Sequence, residues 1–227
     1  MKIIDFPQGS DLWLASRAGK VTASCVHHVL ARIKTGEAAA RRDYRAQIVA
    51  EILTGRPQAN GYINAEMQYG IDHEHEARTA YEAATGSLVQ RVGLVLHPTI
   101  ERAAASPDGL VDDNGLIEIK VPKIATHLTY LLDGVPPSQY QPQMLWQMAC
   151  TERAWVDFVS FRPDLPDNLQ LFTVRFKRDE ARIAAMTKEV ESFLKEVDEL
   201  LDRLTNHNAL LEQLVASVKP TSPGLQA

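Results

Sequence analysis

Two neighbouring segments constrain this chain more than any other feature: the acidic turn Ser106-Pro107-Asp108-Gly109 and the segment Ile117-Glu118-Ile119-Lys120-Val121. Side chains on a strand point alternately to its two faces, so the three apolar residues of the second segment would face a core. Glu118 and Lys120 would then share the opposite face. The pattern predicts a half-buried strand that holds a carboxylate and an ammonium group side by side, close to Asp108.

Two carboxylates and a lysine in this order can hold divalent metal ions and activate a water molecule, which is the chemistry of phosphodiester hydrolysis. The same residues also fit an ordinary hairpin, because an Asp-Gly turn is common before a strand with one solvated face. The pattern alone does not separate the two interpretations. Three further segments bear on the choice.

The first segment, residues 64–84, has the apolar spacing of an amphipathic helix, with Gly86 as a left-handed cap after it. One stripe of this helix contains Met67, Gly70, Glu74, Ala77 and Tyr81. Glu74 is the one carboxylate on this small or apolar stripe, and a buried carboxylate needs a cation or a metal beside it. We therefore expect Glu74 to be buried and to be a third metal-binding acid. The alternative is a salt bridge to Arg78, one turn further on.

The second segment, from Gln139 to Gln147, reads as the start of a helix. Tyr140, Gln143 and Gln147 have the spacing of neighbours along one helix edge. Such a polar edge can donate to a phosphate or position a water molecule. It also fits the polar face of a surface helix, because glutamine is a common helix former.

The third segment runs from Trp13 to Ser24. Arg17 is followed by a glycine turn and then by Thr22 and Ser24, which would cap a helix that runs to about Leu30. Hydroxyl groups at a helix amino end beside a guanidinium form a phosphate pocket. The alternative is a plain helix cap next to a surface arginine.

Taken in order, these blocks resemble lambda exonuclease and the YqaJ-type viral recombinases, which are alkaline exonucleases of the PD-(D/E)xK nuclease superfamily. The resemblance spans roughly residues 10 to 205. It is carried by five blocks in register: Trp13…Arg17…Thr22-Ala23-Ser24, Gly70…Glu74…Ala77-Arg78, Ser106-Pro107-Asp108-Gly109, Glu118-Ile119-Lys120 and Tyr140…Gln143. It implies an α/β fold with a restriction-endonuclease-like core, in which helices flank a central mixed sheet.

The resemblance also implies a role for each matching catalytic residue. Asp108, Glu118 and the backbone carbonyl of Ile119 would hold a pair of Mg²⁺ ions, which Mn²⁺ could replace, and Glu74 would complete the metal site. Lys120 would orient or deprotonate the attacking water. Tyr140 and Gln143 match the family's helix motif beside the active site.

Residues outside the catalytic motif match the parts of the family that bind DNA. Arg17 and Ser24, with Thr22 as a weaker candidate, correspond to a pocket for a terminal 5′ phosphate. Met67 falls where such enzymes place an apolar wedge that helps to unpair the end of a duplex.

The resemblance implies a 5′-to-3′ exonuclease that digests the 5′-phosphorylated strand of duplex DNA to mononucleotides and leaves a 3′ overhang for phage-type recombination. Its partners would be double-stranded DNA ends, two further copies in a homotrimeric ring, and a single-strand annealing recombinase protein. Two alternatives stay open. One is a structure-specific or restriction-like endonuclease of the same superfamily, and the other is a non-catalytic module that binds DNA or a partner protein.

The formal net charge of −5 argues against binding DNA by bulk electrostatic attraction. Local basic groups nevertheless occur near the amino-terminal helices, and we consider them DNA contacts: Arg32, Lys34, Arg41, Arg42 and Arg45. A solvated helix face explains them equally well.

The 227 residues, 45% of them hydrophobic, suit one α/β nuclease domain over residues 1–218. The remaining residues, 219–227, are predicted to be a disordered tail. The sequence has no run of about eighteen apolar residues, no signal-peptide pattern and only two cysteines, so we expect a cytoplasmic protein with no membrane contact. Helices are predicted near 11–16, 23–32, 40–54, 64–84, 124–132, 138–151 and 179–204, with a further segment through 218. Strands are predicted at 88–96, 103–106, 116–121, 154–161 and 169–176.

Overall fold

A computed structural model describes residues 1–58 and 64–217 of the chain. The α-helices are α1 (Asp11–Arg17), α2 (Val26–Val29), α3 (Ala39–Thr54), α4 (Ala65–Thr85), α5 (Ile124–Asp133), α6 (Gln141–Thr151) and α7 (Glu180–Ser217). The strands are β1 (Lys2–Ile4), β2 (Val21–Thr22), β3 (Val89–Gln90), β4 (Leu94–Leu96), β5 (Ala103–Ala105), β6 (Gly109–Val111), β7 (Gly115–Lys120), β8 (Trp155–Phe161) and β9 (Leu171–Lys177).

The strands form two mixed sheets. The five-stranded sheet has the order β3-β6-β7-β8-β9, in which only the β7–β8 pair is parallel. The four-stranded sheet has the order β1-β4-β5-β2, in which only the β2–β5 pair is parallel. The expected mixed sheet flanked by helices is therefore present, together with a second sheet that the sequence did not predict.

Strand β7 is covered on both faces, and this positions the acidic residues. Leu116 belongs to the larger core cluster with α6, whereas Ile117 and Ile119 pack with Ala77 and Tyr81 of α4. The alternation predicted for β7 is thus confirmed. The alternative interpretation, a strand with one solvated face, does not hold, because α6 covers Glu118.

The predicted boundaries hold best where glycine ends a helix. Gly55 and Gly86 end α3 and α4 in the left-handed conformation, with φ of 63° and 74°. The predicted strand 88–96 is instead divided between β3 and β4, which lie in different sheets. At Gly93, between the two strands, a Cβ atom would clash with the backbone of Ile4, so a side chain does not fit there.

Two helix predictions need correction. The helix expected at 23–32 is a 3₁₀ turn, Ala23–Cys25, followed by the short helix α2, and no side chain caps either element. The two segments expected at 179–218 are one continuous helix, α7, to residue 217. Residue 218 and the predicted tail, 219–227, lie outside the described residues. Within the described part of the chain, no helix combines the length and the hydropathy needed to cross a membrane.

Candidate active site

A cleft of about 810 Å³ opens at the end of β7. Four segments that are distant in sequence contribute to its wall: α4 with Glu74, the turn with Asp108, strand β7 with Lys120, and the turn before α6 with Tyr140. The residues predicted from separate motifs are therefore brought together. Their convergence comes from the pairing of β6 with β7 and from the packing of α4 and α6 on opposite faces of β7.

Asp108 is held at the cleft by the backbone of β7. Its Oδ2 accepts a hydrogen bond of 2.6 Å from the backbone N–H of Ile119. The antiparallel register that pairs Gly109 with Ile117 brings the turn to this position. Gly109 leaves no room for a side chain, because a Cβ atom there would clash with Val89. The turn is thus pressed tightly against its neighbours, and the Asp108 carboxylate is fixed in direction.

Glu118 lies behind the cleft wall with a side chain only 1% exposed. Its Oε1 accepts from Lys120 Nζ and, at 2.6 Å, from Gln143 Nε2. Its Oε2 accepts from Gln147 Nε2 at 2.6 Å. A buried carboxylate is tolerated when donors surround it in this way. Gln147, which the sequence places on the same polar helix edge as Gln143, is fully buried and donates to the Glu118 carboxylate instead of to a phosphate or a water molecule.

The electrostatics of the cleft show an excess of negative charge around Asp108. Burial raises the pKa of Asp108 well above its ordinary value, and the negative charges of Glu118 and Glu74 raise it further against the opposing effect of Lys120. Burial alone would lower the pKa of Lys120, but the charges of Glu118 and Asp108 outweigh it and raise that pKa. Additional positive charge would therefore stabilise the ionised form of Asp108.

Glu74 departs from its expected environment. Its side chain is 39% exposed and forms an ion pair with Arg78, so the expectation of a buried carboxylate was wrong and the salt-bridge alternative is present. Met67 and Gly70 of this α4 stripe line the open cleft with Glu74, whereas Ala77 and Tyr81, further along the stripe, are buried against β7. Glu74 still lines the same cleft as Asp108, and its role as a metal ligand stays a prediction.

The ammonium group of Lys120 lies 5.1 Å from the ring centroid of Tyr140. Tyr140 in turn stacks on Phe158 of β8, with ring centroids 5.5 Å apart. The aromatic ring therefore limits the space available to the ammonium group. A cation next to an aromatic face is favourable, which helps to keep Lys120 in one place.

Other cleft residues were not predicted. Arg162, from the loop after β8, lies over the ring of Tyr69 at 4.6 Å, donates to the carbonyl of Pro122 at 3.1 Å and pairs with Asp164. Thr126 of α5 also contributes to the wall. These residues reach the cleft only through tertiary packing, so no spacing in the sequence indicates them.

The predicted phosphate-binding residues form a cluster of their own. Arg17 Nη2 donates to Thr22 Oγ1 at 3.3 Å and to Ser24 Oγ at 3.2 Å, and the guanidinium lies 4.2 Å from the centroid of the Trp13 ring. The hydroxyl groups therefore accept from Arg17 and do not cap a helix, which corrects the expected local structure. Thr22 is buried whereas Ser24 is exposed, so the cluster opens to solvent at Ser24.

A side-chain contact connects this cluster to the acidic turn. Trp13 Nε1 donates a hydrogen bond of 3.0 Å to Ser106 Oγ, and Ser106 lies in the same turn as Asp108. Arg17, Trp13 and Ser106 thus form a chain of contacts from the cluster to the turn that carries Asp108. The two predicted sites are neighbours in space.

The predicted DNA-binding arginines are engaged within the chain. The ion pairs are Arg32 with Glu189, Arg41 with Glu196, Arg42 with Asp43, and Arg45 with both Glu37 and Glu196. Arg41 is also buried, so an exposed DNA-binding role was wrong for it. The pairing favours a structural role for the other three arginines. Among the described residues no salt bridge involves Lys34, which is exposed, and its DNA contact stays a prediction.

The donor set suits a hard divalent cation. No three side chains of His, Cys, Asp or Glu are gathered around one point in the ranges 1–58 and 64–207. The carboxylates of Asp108 and Glu118 and the backbone carbonyl of Ile119 would supply oxygen ligands. Mg²⁺ is commonly bound by one or two carboxylates, with water and substrate phosphate completing the coordination. These residues therefore fit Mg²⁺ or Mn²⁺ better than a softer metal.

Comparisons with known proteins give a consistent result. The model of the YqaJ-like viral recombinase domain matches residues 12–154. The structure of LHK-Exo in complex with dAMP is 44% identical, with a TM-score of 0.83, covering 89% of this chain and 100% of that one. The structure of an alkaline exonuclease (LHK-Exo) from Laribacter hongkongensis is 45% identical, with a TM-score of 0.81 and the same coverage. No curated protein matches this chain.

A more distant solved structure shares the fold. It is a phage related exonuclease from Haemophilus somnus 129PT, 18% identical, with a TM-score of 0.66, covering 82% of this chain and 96% of that one. At this identity the likeness concerns the arrangement of helices and strands alone.

Proposed function

The chain belongs to the YqaJ-like viral recombinase family, and from this premise we propose that it is a magnesium-dependent 5′-to-3′ exonuclease acting on duplex DNA. The predicted family and the restriction-endonuclease-like α/β fold are confirmed, and the chain is a nuclease. The finer proposal is that it digests the 5′-phosphorylated strand to mononucleotides and leaves a 3′ single-stranded overhang.

One observation carries the proposal: Asp108 and Lys120 line one cleft, Glu118 lies directly behind its wall in contact with Lys120, and the Arg17 cluster contacts the turn that carries Asp108. Neither the hairpin interpretation nor the surface-helix interpretation requires these groups to meet. The buried hydrogen bonds from Gln143 and Gln147 to Glu118 add to this, because a solvated face would not need them.

The chain's own residues each have a defined task in hydrolysis. Asp108, Glu118 and the carbonyl of Ile119 would hold Mg²⁺, and Glu74 lines the same cleft and could complete the site. When bound, the metal lowers the pKa of the attacking water and stabilises negative charge on the phosphate. Lys120 Nζ, held between Glu118 and the Tyr140 ring, orients the water and offsets the growing negative charge.

The bond changes explain why a pocket for a terminal phosphate would matter. The water oxygen bonds to the phosphorus between the first and second nucleotides, and the bond from that phosphorus to the 3′ oxygen breaks. The first nucleotide leaves with its 5′ phosphate and a 3′ hydroxyl, and the shortened strand keeps a new 5′ phosphate. A 5′-phosphate pocket can thus act in every cycle.

The Arg17 cluster has the chemistry for that pocket. A guanidinium binds phosphate through paired N–H groups, and the hydroxyl groups of Thr22 and Ser24 can add further donors. Arg17 already points at both hydroxyl groups, so little reorganisation is needed to bind an anion. A relative at 44% identity is solved in complex with dAMP, a nucleoside monophosphate, which supports a mononucleotide as product.

Met67 supports the proposal that the duplex end is unpaired at the cleft. Its side chain is 54% exposed at the cleft, and Ile71, one turn later on α4, is 57% exposed. An apolar side chain at this position can pack against the last base pair and separate it from the strand that enters the cleft. Exposed apolar side chains of this kind are common at binding sites.

Retention on DNA would come from encirclement. The formal charge is −5, and the arginines of α3 are paired with acidic residues, so bulk attraction is weak. A homotrimeric ring closed around the duplex holds its substrate without strong attraction. We further propose that the 3′ overhang passes to a single-strand annealing recombinase protein, in the cytoplasm of a bacterium that carries or is infected by a phage.

The test uses linear duplex DNA with a labelled 5′ phosphate, incubated with and without Mg²⁺. Release of a labelled mononucleotide only with Mg²⁺ is expected, and a covalently closed circular duplex should stay intact. Cleavage of the circle would instead indicate an endonuclease. Earlier release of a 3′ label than of the 5′ label would contradict the proposed direction.

A further inference from the structure

The residues of the Arg17 cluster lie on a short segment, 17–24, that is held by helix α3. Between Arg17 and Thr22 the chain turns at Gly19, which has φ of 72°. A Cβ atom at Gly19 would lie 2.9 Å from the side chain of Ile52, so the turn packs directly on α3. The shape of the phosphate cluster therefore depends on what α3 presents to this turn.

Glu51 of α3 is a buried carboxylate that is hydrogen-bonded to the backbone of this turn. Its Oε2 accepts a hydrogen bond of 2.8 Å from the backbone N–H of Gly19. Its Oε1 accepts from Gln47 Nε2 at 2.9 Å and from the backbone N–H of Gln58 at 3.1 Å. Glu51 is 6% exposed and forms no salt bridge in the described part of the chain, so these three donors, together with the nearby charge of Arg17, offset the cost of its burial.

Tyr44, two turns earlier on the same face of α3, holds the other end of the segment. Its hydroxyl group accepts from the backbone N–H of Thr22 at 3.3 Å and donates to the carbonyl of Lys20 at 3.4 Å. The ring is 4% exposed and stacks on Phe193 of α7, with ring centroids 5.6 Å apart. The hydroxyl group therefore comes from a rigid support.

We infer that Glu51 is a positioning residue for end recognition: it fixes the Gly19 turn so that Arg17, Thr22 and Ser24 face one terminal phosphate, and Tyr44 assists it. This inference rests on the proposed function, because it assumes that the cluster binds the 5′ phosphate. Neither Glu51 nor Tyr44 forms a hydrogen bond with a side chain of the cluster. Both bond to the backbone of the segment. Burial lowers the pKa of Arg17, and the charge of Glu51 opposes that effect, so Glu51 also acts on Arg17 through space.

A hydrophobic residue at position 51 would fill the same space without the cost of a buried charge, and a glutamine would keep the shape. A glutamine, however, presents an N–H group to one of the backbone donors that Glu51 now accepts from. The carboxylate is the side chain that can accept from Gly19, Gln47 and Gln58 together. A carboxylate is therefore better suited than an amide to bind these donors at position 51.

The test compares Glu51→Gln with Glu82→Gln as a matched control. Glu82 also accepts a hydrogen bond from a backbone amide, with 2.7 Å between its Oε1 and the nitrogen of Val89, but it lies on α4 away from the cluster. We expect Glu51→Gln to reduce the preference for 5′-phosphorylated over 5′-hydroxyl ends roughly tenfold, because a hydrogen bond from a backbone amide to the charged carboxylate is lost. The KM for phosphorylated ends should rise while kcat changes little, and Glu82→Gln should keep the wild-type preference.

A second readout does not depend on catalysis. Hydrogen–deuterium exchange of the segment 17–24 should be faster in Glu51→Gln than in wild type and unchanged in Glu82→Gln. Tyr44→Phe, which keeps the buried ring, should show the same two effects as Glu51→Gln. Unchanged exchange in the Glu51 variant would overturn the positioning role whatever the enzyme does.

The outcomes also separate this inference from the proposed function. Faster exchange with an unaltered end preference would overturn the link between Glu51 and end recognition while leaving the exonuclease proposal intact. An equal loss of activity on both kinds of end would do the same. If wild type itself shows no end preference, the assignment of the phosphate pocket fails, and the inference fails with it.

Discussion

Gln147 donates a hydrogen bond of 2.6 Å to Glu118 Oε2, and both side chains are almost completely buried. Gln143 donates to the other oxygen of the same carboxylate from one turn earlier on α6. Helix α6 therefore controls the direction of an acid that is located on β7. The orientation of the Glu118 carboxylate therefore depends on a helix whose side chains lie mostly behind the cleft.

Gln147→Leu keeps a side chain of similar size but leaves one oxygen of a buried carboxylate without its donor. We expect a loss of about 2 kcal/mol in the free energy of unfolding, the usual magnitude for a bond to a charged group. Urea denaturation measures this, with Gln143→Leu as the comparison, because Gln143 is only half-buried. Equal costs for both variants would contradict the importance of burial.

Lys120→Ala should lower the rate of cleavage at least about 100-fold, because the group that orients the water is removed. DNA binding should remain largely intact, which a fluorescence binding assay would measure. Lys123→Ala is the control: Lys123 lines the same cleft but is exposed and paired with Glu66. A Lys120 variant that cleaves at the wild-type rate would rule out the proposed mechanism.

The sequence predicted the acidic turn and β7 well because their signals are local. Alternation along β7 separates Ile117 from Glu118 whatever the rest of the chain does. The burial of Glu118 was not predictable in this way, since it depends on α6 packing over that face. The local pattern gave the direction of the side chain, and the tertiary structure decided its environment.

Long-range partners explain the other failures. Arg41 and Arg45 both pair with Glu196 of α7, a contact that no spacing within α3 reveals. Strands β1, β2 and β6 have only two or three residues, too few for a periodic signal, and exist because neighbouring strands supply their hydrogen bonds. Electrostatic and pairing partners of this kind become visible only in the folded chain.

Arg17→Ala should reduce the ratio of rates on 5′-phosphorylated and 5′-hydroxyl ends by about tenfold or more, because a charged partner of the phosphate is lost. Single-turnover kinetics on the two kinds of duplex end measure this ratio. Arg42→Ala is the control, as Arg42 is exposed and paired with Asp43. A similar loss on both kinds of end would argue against a phosphate pocket at Arg17.

His127 gives a prediction for the pH dependence of stability. The side chain is fully buried, with Nε2 at 2.8 Å from the carbonyl of Leu169 and Nδ1 at 2.7 Å from Ser160 Oγ. A carbonyl can only accept, so Nε2 carries the proton of the neutral ring and Nδ1 accepts from the hydroxyl group. Burial lowers the pKa of His127 below its ordinary value of 6.5.

Because the folded state binds this proton less readily than the unfolded state, the stability contribution of His127 is fully present above pH 6.5. It is lost as the pH falls below that value towards the folded pKa. His127→Gln, which has no titrating ring, should therefore show a smaller fall in the free energy of unfolding between pH 6.5 and the folded pKa than wild type. Urea titrations at several pH values measure the two slopes, and parallel slopes would show that His127 is not the group that titrates.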